Sequence, residues 1–94
     1  MKQLRYGERT WLVGDAIADA LLDHAAALAR AGLAEHVSIA VLDINGMAEQ
    51  VDFLIGPATM MTAEPVPEEF EDPDNTEAER MMRERSAELG AAAT

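Results

Sequence analysis

Apolar and polar residues alternate, then recur at helical spacing, then alternate again along this chain. Leu4 and Tyr6 alternate with polar neighbours, Gly7-Glu8 interrupts, and Trp11 and Val13 resume the alternation. A two-residue loop opening with glycine suits a type II′ turn, whose twist matches that of paired strands. Pairing Tyr6 with Arg9 then sets Leu4 opposite Trp11 on one face. The competing arrangement, a helix opening at Thr10, would have to run through Gly14. Gly14-Asp15 has the character of a helix entrance, so the pattern favours the hairpin.

A helix is predicted over residues 16–31. Ile17, Leu21, His24, Leu28 and Ala31 recur at spacings of four and three and share one face. Asp15 is the expected N-cap, and Gly32 the left-handed residue that ends the helix. Alanines fill the flanks, which gives a narrow face able to lie close on a sheet.

Two further strands follow, over residues 36–43 and 47–56. The Asn45-Gly46 pair between them invites a two-residue type I′ turn. That loop would set Val41 opposite Gln50 and Ile39 opposite Asp52, dividing the apolar set between both faces. A three-residue loop, Ile44-Asn45-Gly46, pairs Asp43 with Met47 instead. Ile39 then meets Val51, Val37 meets Phe53, and Gly46 takes the left-handed bulge position. The packing pattern therefore predicts the longer loop. Its opposite face carries Ser38, Ala40, Gln50 and Asp52, with Leu42 and Leu54 as apolar exceptions, as expected of a half-solvated sheet.

Gly56-Pro57 ends that strand. Residues 58–63 fit either a fifth short strand or an irregular return. Pro65, Pro67 and Pro73 then bracket an acidic run expected to be extended and solvated. Thr76 with Glu79 has the spacing of a capping box, and a helix over about residues 77–89 follows. Arg80–Glu84 and Glu79–Arg83 pairs would support it, but Ala78, Met81, Met82 and Leu89 give it only a thin apolar side. The final residues, 90–93, read as a frayed end. The expected fold class is α+β: a small antiparallel sheet in the order ββαββ, with one helix on one face. Residues 1–63 would form the compact domain and residues 64–94 an acidic extension.

Charge separates the two parts. Of the 94 residues, 18 are acidic and seven are Lys or Arg, a net charge of −11. Residues 64–94 hold ten of the acids and only three bases; Glu64 to Glu79 holds eight acids and no base ahead of Arg80. Such a chain repels nucleic-acid phosphates and anionic lipid, so direct nucleic-acid binding and membrane association are not expected. There is no apolar run of membrane-spanning length and no signal-peptide pattern, and a cytoplasmic location is the expectation. Absence of cysteine excludes disulfides and thiolate chemistry. Alanine accounts for 18 residues and only four side chains are aromatic, so the buried area is marginal, and either a homo-oligomer or a core confined to part of the chain is expected.

Few residues suggest chemistry. His24 sits on the apolar helix stripe near Asp19 and Asp23, and is read as a structural histidine satisfied by a backbone carbonyl rather than as a base or ligand. Asp15, Asp19 and Asp23 recur every four residues along one helix edge. A rigid helix offers few of the oxygens a divalent cation needs, so a solvated edge is expected. His36 is expected to be exposed without a partner, and Ser38 to have no histidine nearby. No phosphate loop, nucleophile elbow or metalloprotease motif occurs. No nucleophile–base–orienter set can be assembled from the sequence, and neither enzymatic activity nor a cofactor or metal is expected.

The remaining signal is Phe70, alone among Glu68, Glu69, Glu71 and Asp72. An aromatic anchor inside a carboxylate cluster suits docking on a basic protein partner. Those residues, together with Met81, Met82 and Leu89 of the tail helix, form the expected partner-binding set. The function expected is therefore a protein–protein interaction module or homo-oligomeric subunit. The alternative is an acidic mimic of nucleic acid that occupies the site of a basic protein.

Overall fold

The computed structural model of the protein describes residues 1–58 and 60–92. The chain runs β1 (Lys2–Tyr6), β2 (Arg9–Val13), α1 (Asp15–Ala31), β3 (Glu35–Leu42), β4 (Ala48–Ile55), β5 (Met61–Pro65) and α2 (Thr76–Ala92). Among the described residues the five strands form one antiparallel sheet in the order β4-β3-β2-β1-β5. The class is α+β, as the patterning implied. The order ββαββ, with its tail helix, is corrected by one strand to ββαβββα, because β5 completes the sheet beside β1, with Leu4 opposite Ala63. Of the segment that could have formed this strand, Thr59 lies outside the described residues.

Both hairpin registers follow the facing argument. Leu4 lies opposite Trp11 and Tyr6 opposite Arg9. Gly7 has φ +61° while among the described residues no non-glycine residue has positive φ, the asymmetry of a type II′ turn. In the second hairpin Ile39 meets Val51 and Val37 meets Phe53. The Asp43 amide donates to the Met47 carbonyl at 2.9 Å, the Gly46 amide donates to the Asp43 carbonyl at 3.0 Å, and Gly46 has φ +81°. The loop is the three-residue one, and it keeps the apolar set on one side.

The sheet consists of two leaves. β1, β2 and β5 make one and β3–β4 the other, joined among the described residues through the single pair Leu12–Leu42. Side chains close the fold across that joint. Phe53 packs edge-on against Trp11 with ring centroids 5.2 Å apart and lies 5.4 Å from Tyr6. Trp11 Nε1 donates to Glu49 at 2.9 Å, and the Tyr6 hydroxyl donates to the Leu54 carbonyl. The core sits between the leaves and α1, around Leu4, Val13, Leu21, Leu28, Ile39 and Ile55.

Two details of α1 differ from expectation. Its N-cap is Gly14, and Asp15 is the first helical residue, paired with the Met1 amine at 3.0 Å rather than bonded to first-turn amides. Ala31 is exposed, whereas Ala18, Ala20 and Ala27 are buried with Ile17, Leu21, His24 and Leu28. The buried face is wider than the predicted stripe because a second element covers α1: α2 packs along it, and the small alanine side chains favour a close approach. At the other end Gly32, φ +69°, closes the helix as expected.

The start of α2 is also displaced. Thr76 is the first helical residue; the Asp74 carboxylate accepts its amide at 3.0 Å, and the Asn75 carbonyl accepts the Glu79 amide at 2.8 Å. The capping function therefore sits earlier in the chain than the Thr76–Glu79 pattern indicated. Arg80 pairs with Glu84 and Glu77, while Arg83 leaves its own helix and pairs with Asp23 of α1 at 2.8 Å. The helix continues through Ala92, so Ala91 and Ala92 belong to it; Ala93 lies outside the described residues.

Candidate functional site

The most connected polar cluster centres on His24, which is 1% exposed. Its Nε2 lies 2.9 Å from a Glu35 oxygen, and its Nδ1 lies 2.9 Å from Ser86 Oγ. Glu35 also accepts from Arg85 Nε at 2.7 Å, and Arg85 reaches Glu88 at 3.3 Å. Burial pushes the Glu35 carboxyl upward, but the hydrogen bonds from Arg85 and His24 outweigh it and hold the group below its ordinary value of 4.5. An ionised Glu35 only accepts, so Nε2 carries the proton. In the neutral ring the Ser86 hydroxyl then donates to Nδ1.

Serine, histidine and glutamate are thus joined in series, which sequence reasoning did not find. Ser86 is 62 positions from His24, and no local spacing signals the pair. The partners of His24 are side chains of α2 and β3, not a backbone carbonyl, Asp19 or Asp23. The cluster joins α1 to β3 and α2. Ser86 sits inside α2, where main-chain amides are engaged in helical bonds and do not converge on an oxyanion. The adjoining cavity, about 370 Å³, is walled by His24, Glu35, Val37, Ser38, Met81 and Arg85, among others, but not by Ser86.

Because the folded-state pKa of Glu35 is depressed, its contribution to stability is present above about pH 4.5 and is lost as pH falls through the lower folded value. Thermal melts followed by circular dichroism are expected to show falling stability below pH 4.5, with a shallower fall in Glu35→Gln. An unchanged acid slope in that variant would detach Glu35 from the effect.

A second histidine also has company. His36 and Asp52 are 3.4 Å apart, and a hydrogen bond from Ser38, then the one from His36, hold the Asp52 carboxyl below its usual range. His36 was expected to be unpartnered and Ser38 to lack a nearby histidine; the β3–β4 register brings all three residues together on the solvated face. The aspartate stands between serine and histidine, so the histidine is not placed to take the serine proton.

Along α1 each aspartate has its own cation. Asp15 meets the Met1 amine, Asp19 meets Lys2 at 2.7 Å and Asp23 meets Arg83. Among the described residues no three His, Asp or Glu side chains converge to hold a metal ion.

The acidic segment, residues 66–75, is fastened along the surface. The Val66 amide donates to the Met1 carbonyl at 3.3 Å. The Phe70 ring lies so close to Gly46 that a Cβ there would stand 2.7 Å from it. Asp72 places its carboxylate against Gly14, at the N-terminus of α1, where a negative charge is favourable. Asn75 Oδ1 accepts the Ala40 amide and Asn75 Nδ2 donates to the Ala40 carbonyl, both at 2.8 Å.

This path sorts the expected partner-binding residues. Glu68, Glu69, Glu71 and Asp72 are exposed, Phe70 is 40% exposed and Met81 57%. Met82 and Leu89 are buried in the chain's own core. α2 packs along α1, so these two residues face the chain's own domain. Among the described residues no helix is long and apolar enough to cross a membrane. Comparison of the chain with protein-family models, curated proteins and solved structures found no match.

Proposed function

We propose that the chain is a non-catalytic binding module that presents a fixed strip of carboxylates to a basic protein. One contrast carries this reading. The α1 aspartates are all neutralised by cations of the chain itself, whereas Glu68, Glu69, Glu71 and Asp72 have no cation within 4.0 Å among the described residues. Anchors at Val66, Phe70 and Asn75 hold the segment that carries them. A fastened strip loses less conformational entropy on binding than a free tail does. The half-exposed Phe70 ring adds an apolar anchor beside the charges. The buried, mutually satisfied His24 cluster supports a structural role for the chain's most reactive side chains.

Partners captured on the full chain should be basic and should elute between about 0.1 and 0.5 M salt as screening shortens the reach of the strip. Neutralising Glu68, Glu69 and Glu71 together to Gln is expected to weaken binding by about tenfold or more and to flatten the salt dependence. Capture indifferent to both salt and neutralisation would remove this reading. If duplex DNA competes for the captured partner, the strip is acting as a nucleic-acid mimic, the narrower form of the same function.

A further inference from the structure

β3 has one edge that its neighbours cover only in part. The Asp43–Met47 bond fixes the phase of the β3–β4 ladder, so Glu35, Val37, Ile39 and Val41 exchange bonds with β4. The backbone groups of His36, Ser38, Ala40 and Leu42 point the other way. Leu42 meets Leu12 of β2, and β2 then turns away through Gly14 into α1. At Ala40 the side-chain amide of Asn75 takes the place of a strand, accepting from the amide and donating to the carbonyl. Ser38 and His36 come next. Both are exposed, and among the described residues neither backbone has a partner on that side.

These open groups face the cavity of about 370 Å³ between β3 and α2, where Ala78 and the exposed Met81 form the opposite wall. The other long edge is less available, since the Tyr6 hydroxyl occupies the Leu54 carbonyl of β4. We propose that the groove between β3 and α2 receives an extended segment of a basic partner protein, added as a short strand along the His36–Ser38 edge. The proposal rests on the binding-module reading and names where that module takes hold of the partner's backbone.

Three features select this occupant. Alternating N–H and C=O groups along an open edge match another extended backbone, and Asn75 fills the neighbouring position with the one amide group its side chain has. Met81 and Ala78 offer an apolar wall for a side chain from the added strand. Asp74 and Glu77, the latter beside Arg80, line the continuation of the groove past Asn75, in a chain of net charge −11, so flanking Lys or Arg residues complement the site.

The test uses the full chain and a displayed library of short random peptides. Selected peptides should be rich in Lys and Arg. When bound, they should slow amide exchange at Ser38 and His36 by about tenfold or more, relative to fast exchange in the free protein. Two variants probe the contact. Chemical synthesis with an ester in place of the Ser38 amide removes one outward donor and only weakens the Val37 carbonyl as an acceptor in the β3–β4 ladder, whose persistence the protection of Val37, Ile39 and Phe53 verifies. Met81→Arg sets a cation on the exposed wall. Each should weaken peptide binding by about tenfold, the scale of one hydrogen bond or one close charge. Peptides that bind without protecting Ser38 and His36, or that bind both variants undiminished, would overturn the groove. If neutralising Glu68, Glu69 and Glu71 releases those same peptides, the acidic strip survives and only the groove is lost. Self-association that protects Ser38 and His36 would assign the edge to a second copy and also overturn the proposal. A library yielding no peptide overturns the groove and the module together.

Discussion

Phe53→Ala is expected to lower the free energy of unfolding by about 3–5 kcal/mol, the range for truncating a buried aromatic side chain. The site justifies the upper part of that range. Phe53 is 3% exposed and touches both Tyr6 and Trp11, on the leaf opposite its own. Among the described residues the backbone joins those leaves through Leu12–Leu42 alone, so there is little ladder to hold them once the ring is gone. The cavity left by truncation would lie at the joint, where collapse requires the leaves to rotate. Urea denaturation followed by Trp11 fluorescence measures the loss directly. A cost below about 1 kcal/mol would show that the aromatic trio does not tie the leaves, since buried truncations of this size exceed that value.

Asn75→Ala should cost about 2 kcal/mol, from two hydrogen bonds lost and two partly buried main-chain groups left without a partner. In a chain of this size that corresponds to a fall in melting temperature of roughly 10 °C. The effect should extend beyond stability. Asn75 is the last anchor before α2, so its loss should also speed amide exchange in the first turn of that helix. Asn75→Asp separates geometry from volume. It keeps an acceptor for the Ala40 amide but sets a second oxygen against the Ala40 carbonyl, now 2.8 Å from Asn75 Nδ2. Near neutral pH it should therefore be at least as damaging as alanine. An aspartate variant as stable as the parent would show that the paired bonds contribute little.

The elements that sequence reasoning recovered are those whose information is local or periodic. The facing of Val37, Ile39, Val51 and Phe53 decided the three-residue loop against the Asn-Gly preference, because one slip would have exposed half the set. Gly32 ended its helix for a reason contained in one residue. What was not legible depends on contacts between distant positions. Nothing near His24 announces Ser86 or Glu35, and nothing near Asn75 announces Ala40. The start of α2 was misplaced for the same reason. Thr76 and Glu79 have the capping spacing, but the Asn75 side chain is held by Ala40, and the Asp74 carboxylate accepts the first helical amide instead. Likewise the burial of Ala18, Ala20 and Ala27 required knowing that a second helix lies on α1. Alanine alone does not say whether it faces solvent or a close neighbour.

The Asn75 plug also bears on the order in which the protein is made. β1 to β5 leave the ribosome before residue 75 does, so during that interval the β3 edge is bare at Ala40 as well as at Ser38 and His36. His24 and Glu35 then lack Ser86 and Arg85, and the alanine face of α1 lacks the cover of α2. A nascent chain paused at that point is a template for pairing with any other unfinished strand nearby. Emergence of the final helix is therefore a protective event as well as a packing one.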